Sequence, residues 1–195
     1  FAALPVVEPG TALMPGDALV FAGMRIPVSV LLRFESARAG LRDELQRATL
    51  EVHNSREDDT ALVSGRQVPV EYETSVALAL SLDGAPVWDS GIAGFRNPVA
   101  VLERRALQLW GPHRKGRIPV VFVHGTASSV ARWAEMINEL DSDAAIREHY
   151  EFWFFTYPTG LPVLYSANLL RTWLQRVVAE LDPDGTDAAL RNMVL

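Results

Sequence analysis

The sequence predicts an α/β chain: a parallel sheet with covering helices in its second half, preceded by a β-rich region. Three observations carry this. Ile118-Pro119-Val120-Val121-Phe122-Val123 is a short unbroken apolar run that stops at His124-Gly125. Such a run reads as a strand buried on both faces, and so as part of a parallel sheet. A second run, Phe152-Trp153-Phe154-Phe155-Thr156, lies further on. Val130, Trp133, Ile137 and Leu140 follow the first run three or four residues apart, and Leu164, Ala167, Leu170, Leu174, Val177, Val178 and Leu181 follow the second. Each set draws one face of a helix. Strand, helix, strand, helix at this spacing is a run of βαβ units.

The first 98 residues have a different texture. Phe1 to Gly16 is punctuated by Pro and Gly and reads as an extended lead-in. Ala18 to Ala22 predicts a short strand and Ile26 to Glu35 a clearer one. Arg38 to Arg47 reads as a helical turn or a surface loop. Ala48 to Asn54 alternates cleanly, which predicts a half-buried strand. Ser55 to Thr60 is a charged loop, and Leu62-Val63 and Gln67 to Tyr72 form two arms around Ser64-Gly65-Arg66. In Thr74 to Leu82, Val76, Leu78, Leu80 and Leu82 alternate with Ala and Ser, which favours a strand; the Ala and Leu content favours a helix, the preferred reading, with Thr74 or Ser75 as its cap. Asp83 to Pro86 is a turn, and Val87 to Phe95 sets small and polar residues between aromatic anchors.

The second half, 99–195, opens with a weakly alternating stretch, Val99 to Trp110, that predicts the strand entering the sheet. Gly111 to Gly116 is the turn into the Ile118 strand. Ser128 or Ser129 is placed to cap the helix after it. Asp141-Ser142-Asp143 stops that helix and caps a short one, Ala144 to Tyr150. Tyr157-Pro158-Thr159-Gly160 turns at the carboxyl end of the second strand. Asp182 to Gly185 ends the long helix, and Arg191 to Leu195 reads as the start of another strand.

Composition excludes several functions. The chain has 195 residues, a formal net charge of −6 and no basic stretch longer than His113-Arg114-Lys115, which argues against nucleic acid as a partner. There is no cysteine, so disulfides, a thiolate nucleophile and a thiolate metal site are excluded. The four histidines, His53, His113, His124 and His149, lack metal-ligand spacing. Asp182, Asp184 and Asp187 lack the spacing and terminal Glu of a calcium loop and read as a solvated turn. No glycine-rich phosphate loop is present, so no cofactor is expected.

The strand, His124-Gly125-Thr126 turn and helix resemble the element that carries half of the oxyanion hole in α/β-hydrolases, in their lipase and esterase branch. The resemblance runs from Arg117 to Leu195. It implies the opening half of an α/β-hydrolase parallel sheet, preceded by a β-rich accessory region. That region resembles the accessory part of large proteobacterial, lipoprotein-like hydrolases. The resemblance further implies a serine hydrolase acting on a carboxylic ester or lipid. The oxyanion loop would be His124, Gly125, Thr126 and Ala127, with Thr126 and Ala127 supplying backbone N–H donors. The family's nucleophile, acid and catalytic His would all fall after Leu195, so no catalytic side chain is expected in these residues and His124 is not the triad base. Ser128 and Ser129 read as capping residues rather than nucleophiles. Tyr157, Thr159, Gly160 and Tyr165, at the carboxyl ends of the strands, are the expected pocket lining. The start at Phe1 and the apolar end Met193-Val194-Leu195 read as cut ends of a longer protein. The resemblance implies a periplasmic or membrane-anchored lipoprotein whose membrane association comes from segments outside this chain. The alternative is a non-catalytic binding or structural module on the same scaffold.

Overall fold

The computed structural model describes residues 4–5, 19–21, 24–34, 48–83 and 106–195. The chain is α/β in the broad sense. β7 (Leu107–Leu109), β8 (Ile118–Val123) and β9 (Tyr150–Phe155) form a sheet in the order β7-β9-β8. β8 runs parallel to β9, from Ile118 opposite Tyr150 to Val123 opposite Phe155, and β7 runs antiparallel to β9. Single bridges extend both edges. Val20 lies parallel to Leu109, and Val194 lies parallel to Val120. Val121 N–H donates to the Val194 carbonyl at 2.8 Å.

Strand β9 is aromatic because it is covered twice. Trp153 and Phe155 point to one face, where they meet Leu107, Leu109, Val121 and Val177. Phe152 and Phe154 point to the other, against Phe122, Trp110, Val130 and Ile137. The element after β8 is a 3-10 turn, Val130–Trp133, that becomes α2 (Ala134–Ser142). It covers the second face, with Trp133 half-buried on Phe122 at 5.5 Å between ring centroids. Arg132, Glu135 and Glu139 face water, as the spacing predicts. Asp143 caps α3 (Ala144–His149) by accepting from the Ala145 and Ile146 N–H groups. The long helix α4 (Val163–Leu181) covers the first face.

Several expectations are corrected. Leu164 is 85% exposed and Ala167 is exposed; the sheet-facing stripe of α4 starts only at Leu169. In the first turns of the helix Ser166 is buried, while Val163 and Leu164 are exposed. Ser129 occupies the N-cap position without a side-chain cap bond. The 3-10 turn already uses the Arg132 N–H on the Ser129 carbonyl, the donor an N-cap side chain would take. Arg191 and Asn192 are not strand but the end of a 3-10 turn, Ala188–Asn192, capped by Asp187; only Val194 pairs. The Ala18–Ala22 strand is described at 19–21 and reduces to the Val20 bridge.

Ahead of the sheet, β1 (Leu4–Pro5) pairs with β2 (Arg25–Ile26), and β3 (Val28–Phe34) with β4 (Ala48–Asn54). β5 (Thr60–Val63) pairs with β6 (Arg66–Pro69) through Ser64-Gly65, both at positive φ, the two-residue hairpin geometry. β4 is not half-buried. Leu50 and Val52 are 63% and 52% exposed, opposite the equally bare Leu32 and Val30. Its other face carries the Arg33–Glu51 ion pair, and Arg33 also donates to the Leu62 carbonyl of β5. The predicted helix is α1 (Ser75–Asp83). Neither Thr74 nor Ser75 caps it: the Glu73 carboxylate accepts from the Ser75 and Val76 N–H groups, and the Thr74 hydroxyl donates to Asn138. The readings for Arg38 to Arg47, for 84–95 and for 99–105 fall outside the described residues, as does most of the lead-in.

Arg56, in the turn after β4, ties these strands to the sheet. It pairs with Asp141 at 2.6 Å, donates to the Trp110 carbonyl at 2.8 Å and lies over the Trp110 ring. Burial alone would lower its pKa, but Asp141 and Tyr72 together outweigh this and the net shift is upward. Asp141→Ala, which leaves the guanidinium buried without its carboxylate, should cost about 3–5 kcal/mol in urea denaturation. Replacing the pair together, Arg56→Met with Asp141→Leu, should cost much less. Equal losses in the two proteins would show that Arg56 finds another partner.

Candidate functional site

Strand register sets the site. β8 delivers His124 to the carboxyl end of the sheet, and β9 delivers Tyr157 beside it. His124 is buried, and its ring stacks on Tyr157 at 4.6 Å, which stacks in turn on Phe155 at 5.3 Å. The Tyr157 N–H donates to His124 Nε2 at 3.3 Å, and the Tyr157 hydroxyl donates to the His124 carbonyl at 2.8 Å. An imidazole that accepts at Nε2 carries its proton at Nδ1, and Nδ1 lies 3.0 Å from the Gly125 carbonyl. Burial holds the pKa of His124 below the ordinary imidazole value, with the Gly125 carbonyl opposing. The ring is therefore neutral with both nitrogens engaged. Its bonds brace the turn.

The loop beyond it is open. Gly125, Thr126 and Ala127 are exposed. Gly125 is not the residue that needs a glycine backbone: its φ lies outside the left-handed region, and a Cβ there would meet nothing within 4 Å. The left-handed position is Ala127, at φ 51°. Its N–H is already committed to the Thr159 hydroxyl at 3.0 Å. The Thr126 N–H has no hydrogen bond among the described residues. Of the two expected donors, Thr126 is thus the open one.

The expected lining residues are only partly assembled. Tyr157 and Thr159 hold the loop through the bonds above, while Gly160 and Tyr165 are exposed. None of the four lines either of two cavities of about 300 and 350 Å³. Ser128 and Ser129 have no His or carboxylate bonded to them among the described residues.

A polar cluster at the opposite end escaped sequence reasoning. His113 Nδ1 lies 2.9 Å from Glu151 and its Nε2 3.4 Å from Asp187. Glu151 also accepts from Trp153 Nε1 and from the Arg114 N–H, and Asp187 from the Gly116 N–H. Asp187 is thus buried, not solvated. The hydrogen bond to Glu151 raises the His113 pKa above its ordinary value against the effect of burial. The available signal was Glu151, a carboxylate opening an otherwise aromatic strand. No group of three or more His, Asp or Glu among the described residues is arranged to hold a metal ion, and no described helix is long and apolar enough to cross a membrane. No family model matches the chain, and neither a curated protein nor a solved structure does.

The two histidines should act on stability in opposite directions. His124, with its pKa lowered on folding, contributes fully above the unfolded value of about 6.5 and loses that contribution as pH falls toward its folded pKa. His113, with its pKa raised, contributes fully below about 6.5 and loses that contribution as pH rises through its folded pKa. In thermal midpoints measured across pH, His124→Gln should remove a fall on the acid side and His113→Gln one on the alkaline side. Three superimposable profiles would refute both assignments. In the loop, Gly125→Ala should change stability by less than about 0.5 kcal/mol. Ala127→Gly should be neutral or stabilising by up to about 1 kcal/mol, because it relieves a left-handed alanine. Denaturant titration showing the reverse order would place the strain at Gly125.

Proposed function

We propose that this chain is the opening part of a serine hydrolase of the α/β-hydrolase superfamily, acting on carboxylic esters of small molecules or lipids, with His124 to Ala127 as its oxyanion loop. The observation that carries the reading is the arrangement around β8. β8 has β9 on one side and Val194, also parallel, on the other, and it ends in a turn whose Thr126 N–H is unbonded among the described residues. A strand continued from Val194 in that register comes level with His124 as far past Val194 as His124 lies past Val120. In the proposed enzyme the nucleophilic serine stands there. Its oxygen attacks the ester carbonyl, the alcohol leaves, and water releases the acid from the serine ester. The Thr126 N–H faces the oxygen on which negative charge develops; one such donor is typically worth about a hundredfold to a thousandfold in rate. His124 keeps the turn in place from below. The exposed Val163, Leu164 and Tyr165, at the same end of the sheet, suit an apolar acyl group.

A second reading, a non-catalytic module on this scaffold, is favoured by one fact: the loop residues line neither of the two cavities named above. Activity of the protein extended past Leu195 separates the two. Hydrolysis of a short-chain activated ester and labelling by a fluorophosphonate support the enzyme. Gly125→Val, which fills the open space beside Thr126 without straining the turn, should lower kcat by about a hundredfold or more with the thermal midpoint kept. Thr126→Ala should do far less, because the donor is main chain. No labelling, or loss of activity in Thr126→Ala with a fully active Gly125→Val, would overturn the assignment.

A further inference from the structure

At the other end of the sheet, beside the amino ends of β8 and β9, lies a cavity of about 300 Å³. Four guanidiniums line it. Three are paired with carboxylates: Arg56 with Asp141 at 2.6 Å, Arg114 with Glu57 at 2.7 Å and Arg147 with Asp59 at 3.5 Å. Glu151, the remaining carboxylate in the wall, is engaged by His113, Trp153 and the Arg114 N–H. The fourth guanidinium, Arg117, makes no hydrogen bond or ion pair among the described residues. Burial lowers its pKa, and the neighbouring Arg114, Arg147 and Arg56 lower it further, only Glu151 opposing. The rest of the wall is apolar or aromatic, formed by Met24, Ile26, Trp110 and Phe152.

We infer that this cavity is a binding site for a small monocarboxylate with an apolar body, held by the fork of Arg117. A guanidinium with no direct partner among the described residues calls for one bound anion, and its planar fork matches a carboxylate in a bidentate pair. The apolar wall calls for hydrocarbon beyond the carboxylate. At about 30 Å³ per water-sized group, the space holds roughly ten heavy atoms. The site is separate from the His124 loop, at the far end of strands about 16 Å long, and does not depend on the hydrolase reading.

Calorimetric titration of the 195-residue chain with benzoate, with its neutral counterpart benzamide and with inorganic phosphate tests this. Benzoate should bind saturably, with benzamide and phosphate weaker by about tenfold or more. Arg117→Gln should weaken benzoate by a similar factor while leaving the ligand-free thermal midpoint unchanged or higher, since its neighbours lose a like charge. Ile26→Trp, which fills the apolar side and leaves every guanidinium in place, should also weaken benzoate and decides the matter if Arg117→Gln does not fold. No saturable benzoate binding, phosphate binding as tight as benzoate, or benzoate binding unchanged in the folded variants would overturn the proposal.

Discussion

From Phe152 to Phe155, strand β9 has neither a free edge nor a wet face, and the rest of the sheet region follows from that. With β8 parallel on one side and β7 with Trp110 on the other, the backbone of that stretch is satisfied within the sheet. Trp153 and Phe155 are then free to fill one core, and Phe152 and Phe154 the other. Two cores require two covering layers, supplied by α4 on one face and by the Val130 turn with α2 on the other. The same register fixes the chemistry at the carboxyl end. Val123 faces Phe155, so the chain places His124 and Tyr157 just beyond the last pair, close enough to stack. A slip of one residue would turn each strand's side chains to the opposite face and part the two rings.

The connection between the hairpins and the sheet is polar where the cores are apolar. Arg56 spans it with Asp141, and Arg147 stacks its guanidinium on the Tyr72 ring at 3.7 Å while donating to the Asp141 carbonyl. The Tyr72 hydroxyl meets no hydrogen-bonding geometry with any described residue, and burial pushes its pKa up to about 12. A phenol in that position stays neutral. Its ring serves as the flat surface on which Arg147 rests. Directed bonds of this kind fix orientation more tightly than apolar contact does, because each charge has few acceptable partners.

What the sequence made legible was local. The β8 run, the aromatic run of β9, the Asp143 cap and the body of α4 each announce themselves within a few residues, through period or end signals. What it hid depended on the distant chain. Leu164 repeats with the buried stripe of α4, but no periodicity tells where the sheet beneath it stops. Leu50 and Val52 alternate like a half-buried strand, yet burial needs a second layer that the described chain does not place there. The left-handed backbone of the turn falls to Ala127 and not to the neighbouring Gly125, and an alanine side chain gives no hint of it. The Arg56–Asp141 pair joins residues 85 apart, and nothing in either neighbourhood points to the other. The α/β character of the second half is visible in its sequence; the open donor at Thr126 needed coordinates.

The reciprocal bonds between His124 and Tyr157 decide how this end of the sheet exchanges with solvent. Most amides inside a sheet are shielded by a carbonyl and trade hydrogen for deuterium only when the ladder opens. The Tyr157 amide is shielded instead by the unprotonated nitrogen of an imidazole. Once that nitrogen takes a proton it is a donor, and the amide loses its acceptor. The tyrosine hydroxyl bond to the His124 carbonyl is then left to hold the two strand ends together. Protection at this single amide is therefore coupled to acidity, while the amides within β9 report the cooperative opening of the sheet.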